Sequence, residues 1–356
     1  MKKTKSSSIS VTLVPEKDLE KFSRDCDSQV MAALGFGRGA LVSLSEDCLQ
    51  MTVDLPQLGN EPLVEVWTSD LPHAVNRSGN ISYASNPDLV IGSIECHEPQ
   101  EGRLDQLTLQ AYREILDFVN RMGFPFLVRF WNYFPNINQK TNGIERYKLF
   151  CAGRHDAFVE KYNSIYKYLS AGSAVGSRSG PLTIIFMAAR NRDGMHFENP
   201  RQISAYRYPN CYGMRSPSFA RATYKDWGGQ KYLYVAGTAS IVGYESRHAH
   251  SPLEQVKETH RNIEFLLSHC NAVLNEGGKK IDFADAIVTK TYVRNEELYS
   301  LARDEMNRKM SGSQPGLYLV GDICREELLV EIEGIWLINS ASCFQEEKEL
   351  SLRESH

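Results

Sequence analysis

Along this chain of 356 residues one order of elements occurs twice: strands, a long helix, a strand, a shorter helix and a strand. In the first pass, short apolar runs at 40–44, 63–68 and 89–95, broken by Gly, Pro, Asn and Asp, read as strands and turns. Leu104, Leu107, Ala111, Ile115, Phe118 and Met122 then fall three or four apart, which predicts an amphipathic helix ending before Gly123. An aromatic strand at 125–133, a helix at 155–169 and a wholly apolar strand at 182–189 complete that pass. The second pass opens with a strand at 232–237. A long helix follows Ser251–Pro252, where Ser caps and Pro fits the first turn, and Gly277–Gly278 end it. Then come a strand at 286–293, a helix at 296–310 and strands at 317–320 and 328–337. A sheet must bury a face and a helix a stripe. The repeat therefore implies an α+β protein of two related halves, each a sheet with its two helices packed on one face. Identity between the halves is weak, so the repeat is one of architecture. The expected layout is a disordered arm at 1–10, an N-terminal half at 11–180, a C-terminal half at 181–342 carrying most of the active site, and a polar, disordered tail at 343–356.

Charge excludes some partners. With 44 Asp+Glu against 40 Lys+Arg the formal net charge is −4, and no basic stripe dominates, which argues against nucleic acid. No apolar run approaches the ~20 residues that span a bilayer. The start, MKKTKSSSIS, is basic but lacks an apolar core, so it does not read as an export signal. The eight cysteines form no CxxC pair and no zinc spacing; the expectation is free thiols in a reducing cytoplasm and no metal.

Residues 199–225, NPRQISAYRYPNCYGMRSPSFARATYK, depart from this balance. They hold Arg201, Arg207, Arg215 and Arg221 among four tyrosines, with no Asp or Glu. Arginine grips carboxylates through a rigid fork of donors, and tyrosine supplies an apolar wall with one hydroxyl. The segment reads either as a pocket for a small anionic ring compound or as a surface whose acidic partners come from elsewhere in the chain.

Three further stretches carry chemistry. In 143–158, GIERYKLFCAGRHDAF, Tyr147 and Arg154 lie seven apart, and Asp156 suits the start of the second helix. Arg154 is then either a carboxylate ligand or a surface residue. In 234–248, YVAGTASIVGYESRH, Gly237 and Gly243 allow a ligand close to the backbone or a simple bulge. Ser240 and His248 lie near each other there, but without a nucleophile elbow. In 321–337, GDICREELLVEIEGIWL, Glu331 and Glu333 share one strand face, opposite the apolar Val330, Ile332 and Trp336. Such a pair usually faces solvent; if it lines a pocket, one carboxyl is a candidate proton donor.

Two resemblances meet on these residues. From about Gly237 to Trp336 the chain resembles the YjgF/RidA-like fold, through the turn at 236–238, Gln255 with NIEFLL, AIVTKTYVRN and LLVEIEGI. From about Phe126 to Leu337 it resembles the chorismatase family. That likeness rests on RFWNYFPNIN, GIERYKLFCAGRHDAF, SAVGS with LTIIFMAAR, the 199–225 stretch and GTASIVGYESRH. The resemblance implies two packed RidA-like (chorismate-mutase-like) halves, chorismate as substrate, no cofactor and a monomer. It also implies Tyr147, Arg154, Tyr208, Arg215 and Arg221 around the substrate, with Gly237, Cys324 and Glu331 at the reacting end. Glu331 would be the acid, with Glu333 as runner-up. Gly237 with Cys324 resembles the members that form 3-hydroxybenzoate, sometimes with 4-hydroxybenzoate; members that hydrolyse chorismate to a dihydroxycyclohexadiene acid tend to carry Ala and Gln there. An imine or enamine deaminase and a non-catalytic binding module are the competing readings. A deaminase would need only one arginine, and a binder would not need Glu331 and Cys324.

Overall fold

The computed structural model describes residues 9–26, 28–37, 44–98, 103–209, 212–274, 280–310 and 316–338. Most of the expected strand at 40–44, the glycines 277 and 278 and the expected tail lie outside these.

The chain begins with a sheet of its own. Strands β1 (Ile9–Pro15), β2 (Gln29–Phe36), β3 (Leu49–Val53) and β5 (Leu63–Ser69) pair in the order β1-β5-β2-β3, with helix α1 (Leu19–Asp25) between the first two. The two-residue strand β4 (Gln57–Leu58) leaves this sheet and pairs elsewhere. Two layouts expected from sequence are corrected here. Ile9 and Ser10 belong to β1, paired with Ser69 and Thr68, so the arm does not reach residue 10. Strands β1, β2, β3 and β5 form a separate sheet rather than part of the first half's.

The first half proper comprises β6 (Ala74–Ser78), β7 (Ile81–Ser85), β8 (Leu89–Cys96), α2 (Leu104–Arg121), β9 (Phe126–Pro135), the small hairpin β10 (Lys140–Thr141) and β11 (Ile144–Glu145), α3 (Arg146–Lys161), β12 (Ala171–Ser177) and β13 (Leu182–Ala189). Its sheet runs β12-β9-β13-β8-β7-β6. Because β13 is central in this sheet, the boundary between halves falls after Ala189 and not at 180. The second half comprises β14 (Met195–Phe197), β15 (Ala222–Asp226), β16 (Lys231–Ala239), the hairpin β17 (Ile241–Val242) and β18 (Glu245–Ser246), α4 (Pro252–Leu274), β19 (Ala286–Val293), α5 (Tyr299–Lys309), β20 (Leu317–Val320) and β21 (Val330–Ile338). Its sheet runs β14-β15-β16-β21-β19-β20, with β4 added at the edge. Read from the other end, this is the order of the first sheet, and in both the parallel pair (β9 with β12, β19 with β20) lies toward one edge. The architectural repeat is therefore present strand for strand.

Alternation along β13 shows how the layers stack. Leu182, Ile184, Phe186 and Ala188 enter the core shared with α2 and α3; Ile185, Met187 and Ala189 enter a second core shared with the other two sheets. In β21, Val330, Ile332 and Trp336 meet α4 and α5, while Ile335 joins the shared core. Helices cover the outer faces and the sheets meet inside, so these strands are buried on both faces. The carboxyls of Glu331 and Glu333 therefore face the seam between halves and not solvent.

One helix differs from expectation at both ends. The helix predicted over 155–169 is α3, which starts nine residues earlier and ends at Lys161, before a separate 3-10 turn at Ile165–Lys167. Arg154, His155 and Asp156 are thus mid-helix, and Asp156 caps nothing. Its buried face is set by Phe150, Arg154 and Phe158, four apart, and Gly153 lets α3 approach α2: a Cβ there would collide with the backbone carbonyl of Asp105. Among the described residues no helix is long and apolar enough to cross a membrane.

Candidate active site

The seam between the halves opens into a cavity of about 380 Å³, within the range of small-ligand sites (~300–1,000 Å³). Its floor is β12 against β16, Gly172 and Ser173 from one half and Gly237 from the other. One wall is α3, presenting Tyr147, Cys151 and Arg154; the other carries Tyr208, Phe219 and Arg221. Glu331 and Cys324 close the inner end. The walls are pinned across the seam. Ala220 N–H donates to Ser170 O at 3.0 Å, and Gly176 and Asp322 exchange backbone hydrogen bonds of 2.7 and 3.1 Å, which fixes the turn that carries Cys324.

Two guanidinium groups that line this cavity, those of Arg154 and Arg221, keep buried donors without a hydrogen-bond partner among the described residues. Arg154 is 3 % exposed and is held by rings, its Cζ 5.0 Å from the centre of Tyr112 and 5.3 Å from that of Phe130. Its Nε and Nη2 are buried and have no hydrogen-bond partner among the described residues. Arg221, also 3 % exposed, donates to Tyr208 Oη at 2.8 Å and Ile203 O at 3.2 Å, leaving Nε without a partner. Buried donors left unpaired are costly, and the chemistry that satisfies them is an anion.

The two carboxyls on β21 have opposite fates. Glu333 accepts from Arg129 Nη2 at 2.8 Å and Trp131 Nε1 at 2.9 Å, pairs with Lys290 Nζ at 3.0 Å, and takes the Ser173 hydroxyl proton in a short bond. Against the cost of burial, Lys290 and Arg129 hold it below the usual carboxylate range, so it is ionised. Glu333 is not among the cavity lining, so the geometry favours Glu331 over this runner-up. Glu331 is 4 % exposed. Burial, then the Glu333 charge, push its carboxyl up to about 8, with Arg129 and Arg221 acting the other way. Glu331 is thus a neutral acid at pH 7, facing the cavity.

Gly237 explains how that acid fits. A bulge interrupts the β16–β21 register between Val235 and Thr238, and a Cβ on Gly237 would overlap Glu331 Oε1 and lie 3.1 Å from Ser173 Oγ. The space a methyl would take is filled by the carboxyl of Glu331. Burial, followed by the Glu331 charge, pushes the Cys324 thiol far up, so it stays protonated, packed with Ala239, Ile241 and Ile323. It is a small, weakly polar wall and not a thiolate base. Tyr147 is likewise held as a neutral phenol by burial.

Other expected residues lie elsewhere. Arg215 is half exposed and pairs with Asp156 at 3.1 Å, outside the cavity lining. Arg201 pairs with Glu258 at 2.6 Å. The acid-free stretch finds its acids on α3 and α4, and of its four arginines only Arg221 lines the cavity. Ser240 donates to Arg247 O and His248 contacts Glu258, so no serine nucleophile forms there. Ser173, Cys151 and Arg325, which line the cavity, were not singled out from sequence, and neither was the Arg129–Glu333–Lys290 cluster behind it. A lysine inside the apolar strand AIVTKTYV was the available signal for that cluster.

A duplicated α+β scaffold whose seam holds a buried carboxyl and buried guanidinium donors without hydrogen-bond partners suits a small anionic ligand. Comparison with known proteins narrows this. Residues 65–188 match the family model described as "Chorismatase FkbO/Hyg5-like, N-terminal". The chain is 33 % identical over 282 residues to a 3-hydroxybenzoate synthase of Streptomyces hygroscopicus, covering 77 % of this chain and 82 % of that protein. It is 33 % identical over 297 residues to a chorismatase of Streptomyces rapamycinicus, covering 83 % and 88 %. A chorismatase crystal structure superposes with a TM-score of 0.83 at 28 % identity, covering 93 % of this chain and 99 % of that one. The chain belongs to the chorismatase family.

Proposed function

We propose that this protein converts chorismate to 3-hydroxybenzoate and pyruvate, in a cavity complete within one chain and without a cofactor. The observation that carries the reading is Glu331, a buried carboxyl un-ionised at neutral pH, in one cavity with Arg154 and Arg221, which keep buried donors without hydrogen-bond partners. Chorismate is a ring dicarboxylate, and the two arginines meet its two carboxylates, with Tyr147 and Tyr208 along the ring. Glu331 gives its proton to the enolpyruvyl methylene, which becomes a methyl on an oxocarbenium carbon. The 4-hydroxyl oxygen then attacks ring C3. The C3–O bond breaks, its electron pair forms the ketone of pyruvate, and the hydroxyl proton returns to the Glu331 carboxylate. The resulting ring epoxide opens at C4 and loses the C3 proton to give the phenol. No water is consumed, and the atoms of chorismate are all accounted for in the two products.

The aromatic product is favoured over the diene-diol by Gly237 and by Cys324, a small thiol packed with Ala239, Ile241 and Ile323 at a position where a Gln amide would anchor a water. The relative named 3-hydroxybenzoate synthase supports the same product. The test is incubation with chorismate, assay of pyruvate with lactate dehydrogenase, and chromatography of the ring product. Pyruvate with 3-hydroxybenzoate is expected. Pyruvate with the diene-diol would overturn the product, and no pyruvate the reaction.

A further inference from the structure

Behind the cavity lies a closed set of buried charges drawn from all three sheets. Lys290 of β19 sits 2.9 Å from Glu65 of β5 and 3.0 Å from Glu333 of β21, and Arg129 of β9 sits 2.8 Å from Glu333; each is 1–2 % exposed. Trp67 Nε1 donates to the other oxygen of Glu65 at 2.9 Å. Two anions and two cations sum to zero. Such clusters are weak contributors to stability, because well-packed apolar side chains would serve as well. This one has another neighbour: Glu331 lies two residues from Glu333 on the same strand face, about 6.6 Å along the backbone.

We infer that Glu65, Lys290 and Arg129 are positioning residues that hold Glu333 ionised next to Glu331, and that this fixed negative charge keeps Glu331 in its proton-carrying form. The inference rests on the proposed role of Glu331. The groups facing Glu331 are Glu333 from its own strand, Arg129 from β9, Arg221 from the segment before β15, Cys324 from the turn before β21, and Tyr147 from α3, with Arg154 across the cavity. Of these only Glu333 is both anionic and rigidly held. Ionising Glu331 would put two negative charges side by side out of water. The cluster also blocks the simplest escape, proton transfer from Glu331 to Glu333, because Lys290, Arg129, Trp131 and Ser173 already occupy Glu333's oxygens. Glu65 thereby gives the separate N-terminal sheet a part in the chemistry.

The experiment titrates Glu331 in the full chain without substrate, by the infrared carbonyl stretch of its protonated carboxyl, assigned with Glu331→Gln. Glu333→Gln should lower the midpoint by about 1–3 pH units, since a like charge is removed while both cations stay. Glu65→Gln should lower it by less, and the charge-balanced pair Glu65→Gln with Lys290→Met should leave it where it is in the unmodified chain. Packing damage would be greatest in the double variant, so charge and structure predict different orders. The inference is overturned if folded Glu333→Gln leaves the midpoint unmoved. Should that variant not fold, a double variant shifted as far as Glu65→Gln alone overturns it equally. The predicted shifts in a protein that releases no pyruvate from chorismate would support the electrostatic assignment while removing the proposed reaction.

Discussion

Arg154 and Arg215 show how little a residue type says until its partners are known. Both were candidates from the same reasoning, yet one is sealed among rings without an anion and the other spends its charge on an exposed aspartate. Arg154→Ala and Arg221→Ala should each cost about 2–5 kcal/mol in kcat/KM with chorismate, because a buried substrate carboxylate loses its partner. Arg215→Ala should cost under ~1 kcal/mol, as exposed pairs do. Steady-state kinetics on the three variants checks this, and equal losses in all three would remove the distinction. Gly237 and Cys324 need separate treatment. Gly237→Ala alone should lower kcat by displacing the Glu331 carboxyl, whereas Cys324→Gln with Gly237→Ala should move product from hydroxybenzoate toward the diene-diol. Chromatography of the double variant decides: an active enzyme with unchanged aromatic product would take both residues out of product control.

The elements depend on close approach as much as on apolar pattern. Helix propensity alone would make Gly153→Ala stabilising by about 1 kcal/mol. Here the added methyl would strike the Asp105 carbonyl of α2, so the variant should instead lose about 1–3 kcal/mol, read from urea unfolding. The same contact explains where sequence reading went astray. Strand 182–189 was legible because both faces are apolar, and 286–293 because β-branched residues and Tyr dominate it despite Lys290. The start of α3 was not. The run 146–154 places Arg, Gly and Cys on faces that pack against α2 and the cavity, so its apolar period is blurred. The split at 180 failed for a different reason: β13 returns to the middle of the first sheet, and pairing between distant strands leaves no local mark.

Across the whole molecule, three sheets meet at one buried charge cluster, and a neutral acid sits at its cavity side. Sequence showed that Glu331 and Glu333 share a face, and family resemblance favoured Glu331. What separates them is invisible in the strand itself, because Arg129, Lys290 and Ser173 arrive from positions 204, 43 and 160 residues away from Glu333. The sign of the pH dependence follows from that separation. A general acid works while it holds its proton, so kcat/KM for pyruvate release should be level below about 8 and fall as pH rises through that value. The direct test is this profile for the unmodified chain beside Glu331→Gln. The account predicts that limb near 8 in the former, and in the latter a folded protein that binds chorismate with kcat at least ~100-fold lower and without the limb. A Glu331→Gln variant that keeps its rate, or an unmodified enzyme whose rate climbs through pH 8, would contradict it.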